Sequence, residues 1–576
     1  MSDKKQSDVK QPGRLCQIFL WSARIVLGLL VIAISYCICS PYLSPERRAT
    51  NNDHTHLGWY LIGLAVIGGV ACIPRVITSN SEKYFITRVL VTGITGGAFA
   101  LLLPIAVKST TTGVGGLRHS ILLATGGLLA ILTLGETRRK NDIDKDKSDK
   151  DHRRQVRAER RERYTKAVEQ LGDEKAPIRM GGVYTLVGLV DEWLKDESIK
   201  KYEDRLKEGQ VIVNNLCAYI RSPFTLASHY DELSKANPTP KGIYKGKKEK
   251  FYADKATLDS EADVRLGIIK EIHDRLQGSG KNAPGAWSDF EYDFSGSTFF
   301  YTIDLTNSYY AKPINFSGST YQGGANFSRS TYQGEADFSG STYKGRADFS
   351  GSTYKGRADF SGSTYKGRAY FNSSTYKSEA YFSSSTYKGD AYFSSSTYKS
   401  EAYFSSSTYK GRAYFSSSTY KGRAYFSRST YKDVADFSGS IFYQKVYFGA
   451  DGDNSNFSRF ISCTPQFYDE TNHKNTLFGS PNNDFTVDID KGYPIDLDSK
   501  GIPLNCKFFT SEQKEYLEYK SQEIEETNNK LLEVKDPKEK AELWKKLWSL
   551  YKELHKWREE ATTVKVEGTA PEEKNN

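Results

Sequence analysis

The chain has 576 residues, a net charge of +10, seven cysteines, and an aromatic content that includes 39 Tyr and 30 Phe. Such a length exceeds what one hydrophobic core serves, so several domains are expected. Cys16, Cys37, Cys39, Cys72, Cys217, Cys463 and Cys506 are odd in number and scattered, which gives neither a disulfide framework nor a CxxC zinc spacing. The positive excess is mild and gathers behind the last apolar run, where a membrane surface is a better partner than nucleic acid.

Four apolar stretches come first: Ile18 to Leu43, Trp59 to Ile77, Val89 to Val107 and Ile121 to Gly135. The fourth approaches the ~20 residues that a bilayer requires when Gly113 to Leu117 extend it. Cys37, Cys39 and Pro41 make a poor cleavage site for a signal peptide, so the first stretch reads as a true span. Residues 1–136 are therefore expected to form an α-helical transmembrane bundle of four helices. Lys and Arg concentrate in the N-terminal flank (Lys4, Lys5, Lys10, Arg14), the second connection (Arg75, Lys83, Arg88) and the segment from Arg138, which places both termini in the cytoplasm. Arg24 can snorkel to the interface, and the Gly93–Gly97 and Ala65–Gly69 pairs suit close packing between helices. His54 and His56 read as part of a hydrated loop.

Residues 137–285 combine a charged linker with a small α-helical domain. Bases outnumber acids between Lys140 and Lys166, as in a solvated helix leaving the membrane whose basic face meets anionic lipid. Two later helices open alike, Ile178-Arg179-Met180-Gly181 and Val264-Arg265-Leu266-Gly267, in the manner of a HEAT-like pair.

Residues 286–450 hold a strict repeat. Phe294, Leu305 and the phenylalanines from Phe316 to Phe448 recur every eleven residues, among them Phe327, Phe338, Phe349, Phe360, Phe382, Phe404 and Phe426. Five residues after nearly every one stands a second aromatic, from Phe299 to Phe442, and two residues before most of the aromatics stands a small residue, Ala or Ser. Alternate residues of an extended chain face the same way, so the small residue and the ring point inward together while the residue between them points out. Stacked coils then bury a core that no single repeat could bury, and those phenylalanines form its structural centre.

This text resembles the pentapeptide-repeat family, whose A-[DN]-[LF]-x-x units build a right-handed quadrilateral β-helix; here units of five and six residues alternate. That resemblance implies four faces, hence about 22 residues per coil, about seven coils and, at ~4.8 Å per strand, a rod of ~34 Å. The segments ERYTKAVEQLGDEKAPIRMGGVYTLVGL and NNLCAYIRSPF are similar to those that precede the repeats in many bacterial membrane-anchored members. The resemblance implies a multi-pass protein of the bacterial cell membrane and assigns no activity. Some members are acidic mimics of DNA, but eighteen Lys and Arg against ten Asp and Glu between Phe294 and Phe448 remove the physical basis for mimicry.

Two outward columns follow from the repeat. Tyr370, Tyr381, Tyr392, Tyr403, Tyr414 and Tyr425 precede the Phe of one unit, and lysines including Lys377, Lys388, Lys399 and Lys410 follow the Tyr of the other. They read as a solvated solenoid face, or as a candidate partner-binding face for an acidic protein segment or single-stranded nucleic acid. Nucleic acid is disfavoured; a protein partner of unknown identity is the expectation.

Residues 451–509 lack the repeat and are expected to cap the open end. Residues 510–562 carry two helix starts, at Thr510-x-x-Gln513 and Asp536-Pro537, with leucines at heptad spacing: a C-terminal helical hairpin, with self-association as the alternative use of the seam. The tail 563–576 is polar and is expected to be disordered. No nucleotide, hydrolase or metalloprotease motif has its required context, so neither catalysis nor a metal or cofactor is expected. The function implied is a membrane-tethered cytoplasmic scaffold, with a small transporter or channel subunit carrying a regulatory solenoid as the alternative.

Overall fold

The hydrophobic period changes from 3.6 to 2 near residue 290, and the architecture changes there from helix to strand. In a computed structural model, the described residues are 55–72, 81–106, 111–280, 282–449, 457–534 and 536–563. The chain divides into two units, Met1–Val156 and Arg157–Asn576. The stretch Ile18 to Leu43 with Arg24, the residue His54, the side chain of His56 and residues 564–576 lie outside the described residues.

The first unit contains α1 (Thr55–Cys72), α2 (Ser81–Ala106) and the start of α3 (Thr111–Leu171). Leu61 is fully buried among Ile62, Phe99, Leu102 and Ile121. Close helix approach occurs at Gly96, where a Cβ would stand 2.3 Å from Thr125, and not at Gly97, which faces open space. One helix among the described residues is long and apolar enough to cross a membrane, beginning at Ile121 within α3; Val89–Leu102 is a shorter apolar helix.

In the second unit the end of α3 packs on α4 (Ala176–Leu194), with Arg160 donating to Asp196 at 2.5 Å and Arg163 to Glu192 at 2.6 Å. α5 (Tyr202–Arg221), the single turn α6 (Tyr230–Leu233) and α7 (Lys248–Leu276) complete the helical domain. The arginines of the two similar motifs converge on one carboxylate, although only Ile178-Arg179 opens a helix and Val264-Arg265 lies well inside α7, contrary to the sequence expectation: Glu261 receives Arg265 Nε at 2.7 Å and Arg179 Nη2 at 3.2 Å. Arg265 also donates to the carbonyls of Ile220 and Ser222 at the end of α5. The domain's apolar core runs without a break into the first coil of strands, where Phe224 stacks on Phe300 at 5.5 Å. It thereby covers the strand edges at that end of the rod.

From β1 (Tyr292–Asp293) to β29 (Val446–Tyr447) the chain forms two-residue strands in four parallel sheets, which number eight, eight, seven and nine strands once the later strands Arg459–Phe460, Leu477–Phe478 and Lys507–Phe508 are included. Partners lie twenty-two residues apart, as in Thr342 with Thr364 and Ala358 with Ala380. Each coil thus takes four units and contributes one strand to each face. Face 1 carries the column Ala336, Ala358, Ala380, face 2 Thr342, Thr364, Thr386, face 3 Ala347, Ala369, Ala391, and face 4 Thr353, Thr375, Thr397.

Inside, Ala336, Phe338, Ser341 and Tyr343 are buried, and the pattern repeats through every coil. Phe338 stacks on Phe360 at 5.2 Å and meets Phe349 edge-on at 5.0 Å, favourable quadrupole arrangements in both directions. The inward serines form a second ladder: Ser341 Oγ accepts from the Ser319 amide and donates to the Phe316 carbonyl. The five-residue corner needs a left-handed residue two places after each Phe, supplied by Gly340, Gly351 and Gly362 and then by Ser373, Ser384, Ser395, Ser406 and Ser417. The extra residue of the six-residue unit is absorbed at the Lys-Gly-Arg corner, where the backbones of successive coils come close enough that a Cβ on Gly367 would stand 2.4 Å from Gly345 O.

Residues 457–509 do more than end the rod. Phe460, Phe467, Phe478 and Phe485 stack on or against Tyr431, Phe437, Phe442 and Phe448, so the stretch supplies one further, irregular coil. Its loops break the eleven-residue period, which hides the coil from a periodicity count. The helical hairpin follows: α8 (Ser511–Glu533), with the Thr510–Gln513 capping box, and α9 (Pro537–Thr562), capped by Asp536. Ile524 and Leu531 pack against Leu547 and Leu550, so the heptad seam is closed within the chain.

Candidate interaction surfaces

The outward residues of the four sheets define the surfaces that the rod can offer. Faces 1 and 3 begin with carboxylates and amides that cap their own turns; Asp337 Oδ1 accepts the Ser339 amide at 2.9 Å. Later in the chain tyrosines replace them. Tyr370, Tyr392 and Tyr414 form a ladder on face 3 with ring centroids 4.8 and 5.1 Å apart. Tyr381, Tyr403 and Tyr425 form another on the opposite face 1, at 4.8 and 4.9 Å, and Tyr447 extends it. Arg346 and Arg357 lie over Tyr370 and Tyr381 at 4.4 and 4.5 Å, and the Tyr403 hydroxyl donates to Glu401. Burial and that carboxylate raise the Tyr403 phenol above its usual range. Both ladders are half-buried and largely satisfied by the chain itself.

The lysines divide between the other two faces. Lys366, Lys388, Lys410 and Lys432 are exposed on face 2, whereas Lys355, Lys377, Lys399 and Lys421 are half-buried on face 4. The ten residues expected to make one partner face are therefore spread over all four. Alternation by eleven within a coil of twenty-two sends successive copies of a residue to opposite faces.

Face 4 is covered by the hairpin. Glu525 of α8 bridges two lysines, receiving Lys377 Nζ at 2.7 Å and Lys399 Nζ at 2.6 Å. These two hydrogen bonds hold its carboxyl at about 2. Desolvation, and then the neighbouring ammonium, push Lys355 and Lys421 below their ordinary value. At the upper end Leu517 is buried with Ile441, Tyr443 and Leu477. Arg558 of α9 donates to Thr419 Oγ1 and Gly439 O at 3.2 and 3.3 Å, and desolvation lowers its guanidinium to about 10. A cleft of about 260 Å³ remains between the lysine column and α8. Glu518 and Glu525, one heptad apart beside the Leu517–Ile524 seam, are the sequence signal for this docking.

Among the described residues no group of three His, Cys, Asp or Glu side chains could hold a metal ion, and Cys217, Cys463 and Cys506 are free thiols. The repeat architecture defines a β-solenoid of about seven turns, a scaffold type of fold that offers ladders of side chains at fixed spacing. A family model for pentapeptide repeats, described as nine copies, matches residues 312–353 within it, and no enzyme family is matched. No curated protein and no solved structure matches the chain.

Proposed function

We propose that this protein is a membrane-tethered scaffold of the bacterial cell membrane, multi-pass with both termini cytoplasmic, that presents its solenoid to a protein partner. The observation that carries the reading is the rod itself: a continuous core of stacked rings holding regular ladders of exposed side chains at fixed spacing. Tethering is supported by the apolar helix from Ile121, by the exposed Ile94, Leu101, Leu122, Leu123, Ile131 and Leu134, which suit lipid, and by the basic helix that follows. The alternation of five- and six-residue units supports reading it as a 5+6 spaced variant of the pentapeptide-repeat type.

The test is to separate the two halves of the chain. Removing residues 286–509 while keeping residues 1–140 should abolish cellular function, and the remaining membrane half in liposomes should pass neither ions nor solutes. Specific flux through that half would instead establish the transporter or channel reading.

A further inference from the structure

Faces 2 and 4 are built from the same text. Each repeats Thr-Tyr-Lys with the Tyr inward, in the same register and with the same twenty-two-residue step; the corners that follow differ, with Ser-Glu after Lys377 and Lys399 and Gly followed by Arg or Asp after Lys366, Lys388 and Lys410. Face 4 has an occupant, the acidic helix α8, and the fit is metrical. Glu525 spans the lysines of two successive coils, and Glu518, seven residues earlier, faces Lys421. One heptad of helix advances ~10.5 Å and two coils of solenoid advance ~9.6 Å, so an acid every seven residues keeps phase with a lysine pair every two coils.

Face 2 offers the same Thr-Tyr-Lys lattice with no helix packed along it among the described residues. Lys344, at its N-terminal end, pairs with Asp231 at 2.7 Å. Lys366, Lys388, Lys410 and Lys432 are exposed and enter no ion pair among the described residues. The apolar head of the site is present too. Tyr443, whose amide bonds Tyr420 O, receives Phe509 at the top of face 4; Ile461, whose amide bonds Tyr431 O, occupies the equivalent place on face 2 and is 42% exposed. Two carboxylates stand at the corners of this column, Asp390, which is paired with Arg412 at 3.0 Å, and Asp433, next to Lys432.

We propose that face 2 is a docking surface for an acidic amphipathic helix of a partner protein, one with Glu or Asp seven residues apart and an apolar side chain to cover Ile461. The partner binds as α8 binds face 4, its carboxylates bridging lysines of successive coils. This rests on the scaffold reading and specifies the partner's chemistry. Charge complementarity selects an acidic helix, and the row of lysines steers its approach.

The probe is the chain's own helix. A labelled peptide of residues 511–533 is titrated against the full chain in nanodiscs and followed by fluorescence anisotropy. Saturable binding that weakens with salt is expected, and K388E/K410E should reduce it about tenfold while K388R/K410R retains it. A peptide carrying E518K/E525K should not bind. Both lysine positions are exposed, and an unchanged melting temperature verifies that the variants fold. Absence of binding overturns the proposal. So does binding that is lost in K377E/K399E but kept in K388E/K410E, since the peptide would then be displacing the resident hairpin. Preferential capture of a single-stranded oligonucleotide by face 2, or self-association of the chain abolished by K388E/K410E, assigns the face to another occupant and overturns it equally. If the peptide fails while deletion of residues 286–509 still abolishes function, the scaffold reading stands and this assignment alone falls.

Discussion

At the scale of the residue, the rod separates inward from outward positions that are neighbours in sequence. Phe382 is fully buried between Phe360 and Phe404. Phe382→Asp puts an unpaired carboxylate among rings and should cost several kcal/mol. Tyr381→Asp exchanges a half-exposed ladder residue and should cost about 1 kcal/mol or less. Thermal unfolding of residues 157–576 by circular dichroism compares them, and equal losses would contradict the inward and outward assignment. The buried tyrosines need their rings more than their hydroxyls. Tyr387 OH has no hydrogen-bond partner among the described residues, while Ser385 Oγ beside it donates to the Phe360 carbonyl and accepts from the Ser363 amide. Phe299, Phe442 and Phe460 hold equivalent places in their columns. Tyr387→Phe should therefore leave the melting temperature unchanged or raise it, since an unsatisfied buried hydroxyl costs about 1–3 kcal/mol. Ser395 is held at φ +59, the conformation that glycine adopts at Gly362. Ser395→Gly should stabilise by about 0.5–1 kcal/mol, the relief of left-handed strain exceeding the entropy that glycine brings to the unfolded chain. A lower melting temperature would show that the serine side chain contributes to the corner.

At the scale of the element, the docking of α8 depends on one carboxylate. Glu525 is held at about 2 against an ordinary 4.5. Its contribution is complete above pH 4.5 and is lost as the pH falls toward 2, where the protonated side chain no longer pairs with Lys377 and Lys399. Hydrogen exchange in α8 should rise across that window, and Glu525→Gln should remove the step while weakening docking at neutral pH. The side chain remains partly solvated, so the effect belongs to the modest class of surface ion pairs, with Leu517 and Arg558 keeping the hairpin in place. An exchange profile indifferent to pH between 4.5 and 2 would place the docking energy wholly in the apolar end.

At the scale of the whole molecule, the proposed membrane-tethered reading predicts an orientation, with both termini cytoplasmic, from the distribution of Lys and Arg in the short connections. Single cysteines at Ser2, Thr50 and Asn575, in a background without native cysteines, should react with an impermeant thiol reagent from outside the cell only at Thr50. Labelling at Asn575 in intact cells would show that the number of crossings is odd, and the short stretch from Ile121 to Gly135 would be the first to reconsider.

The sequence by itself determined the solenoid, the inward rings and the capped starts of α8 and α9. Each of these depends on contacts that recur at a fixed local spacing or lie within one turn of a helix, and such spacing survives in the text. Tertiary structure decided the rest. Four units per coil came from the family resemblance and are fixed by the twenty-two-residue strand pairing. The columns of Lys366 and Lys377 carry the same Thr-Tyr-Lys repeat, which by itself does not distinguish an open face from a covered one; only the path of the chain through its irregular last coil brings Glu525 to one of them. Phe460, Phe467, Phe478 and Phe485 continue the core at uneven intervals, and Arg179 and Arg265 meet at Glu261 across helices far apart in sequence. Those contacts have no period, so folding alone reveals them.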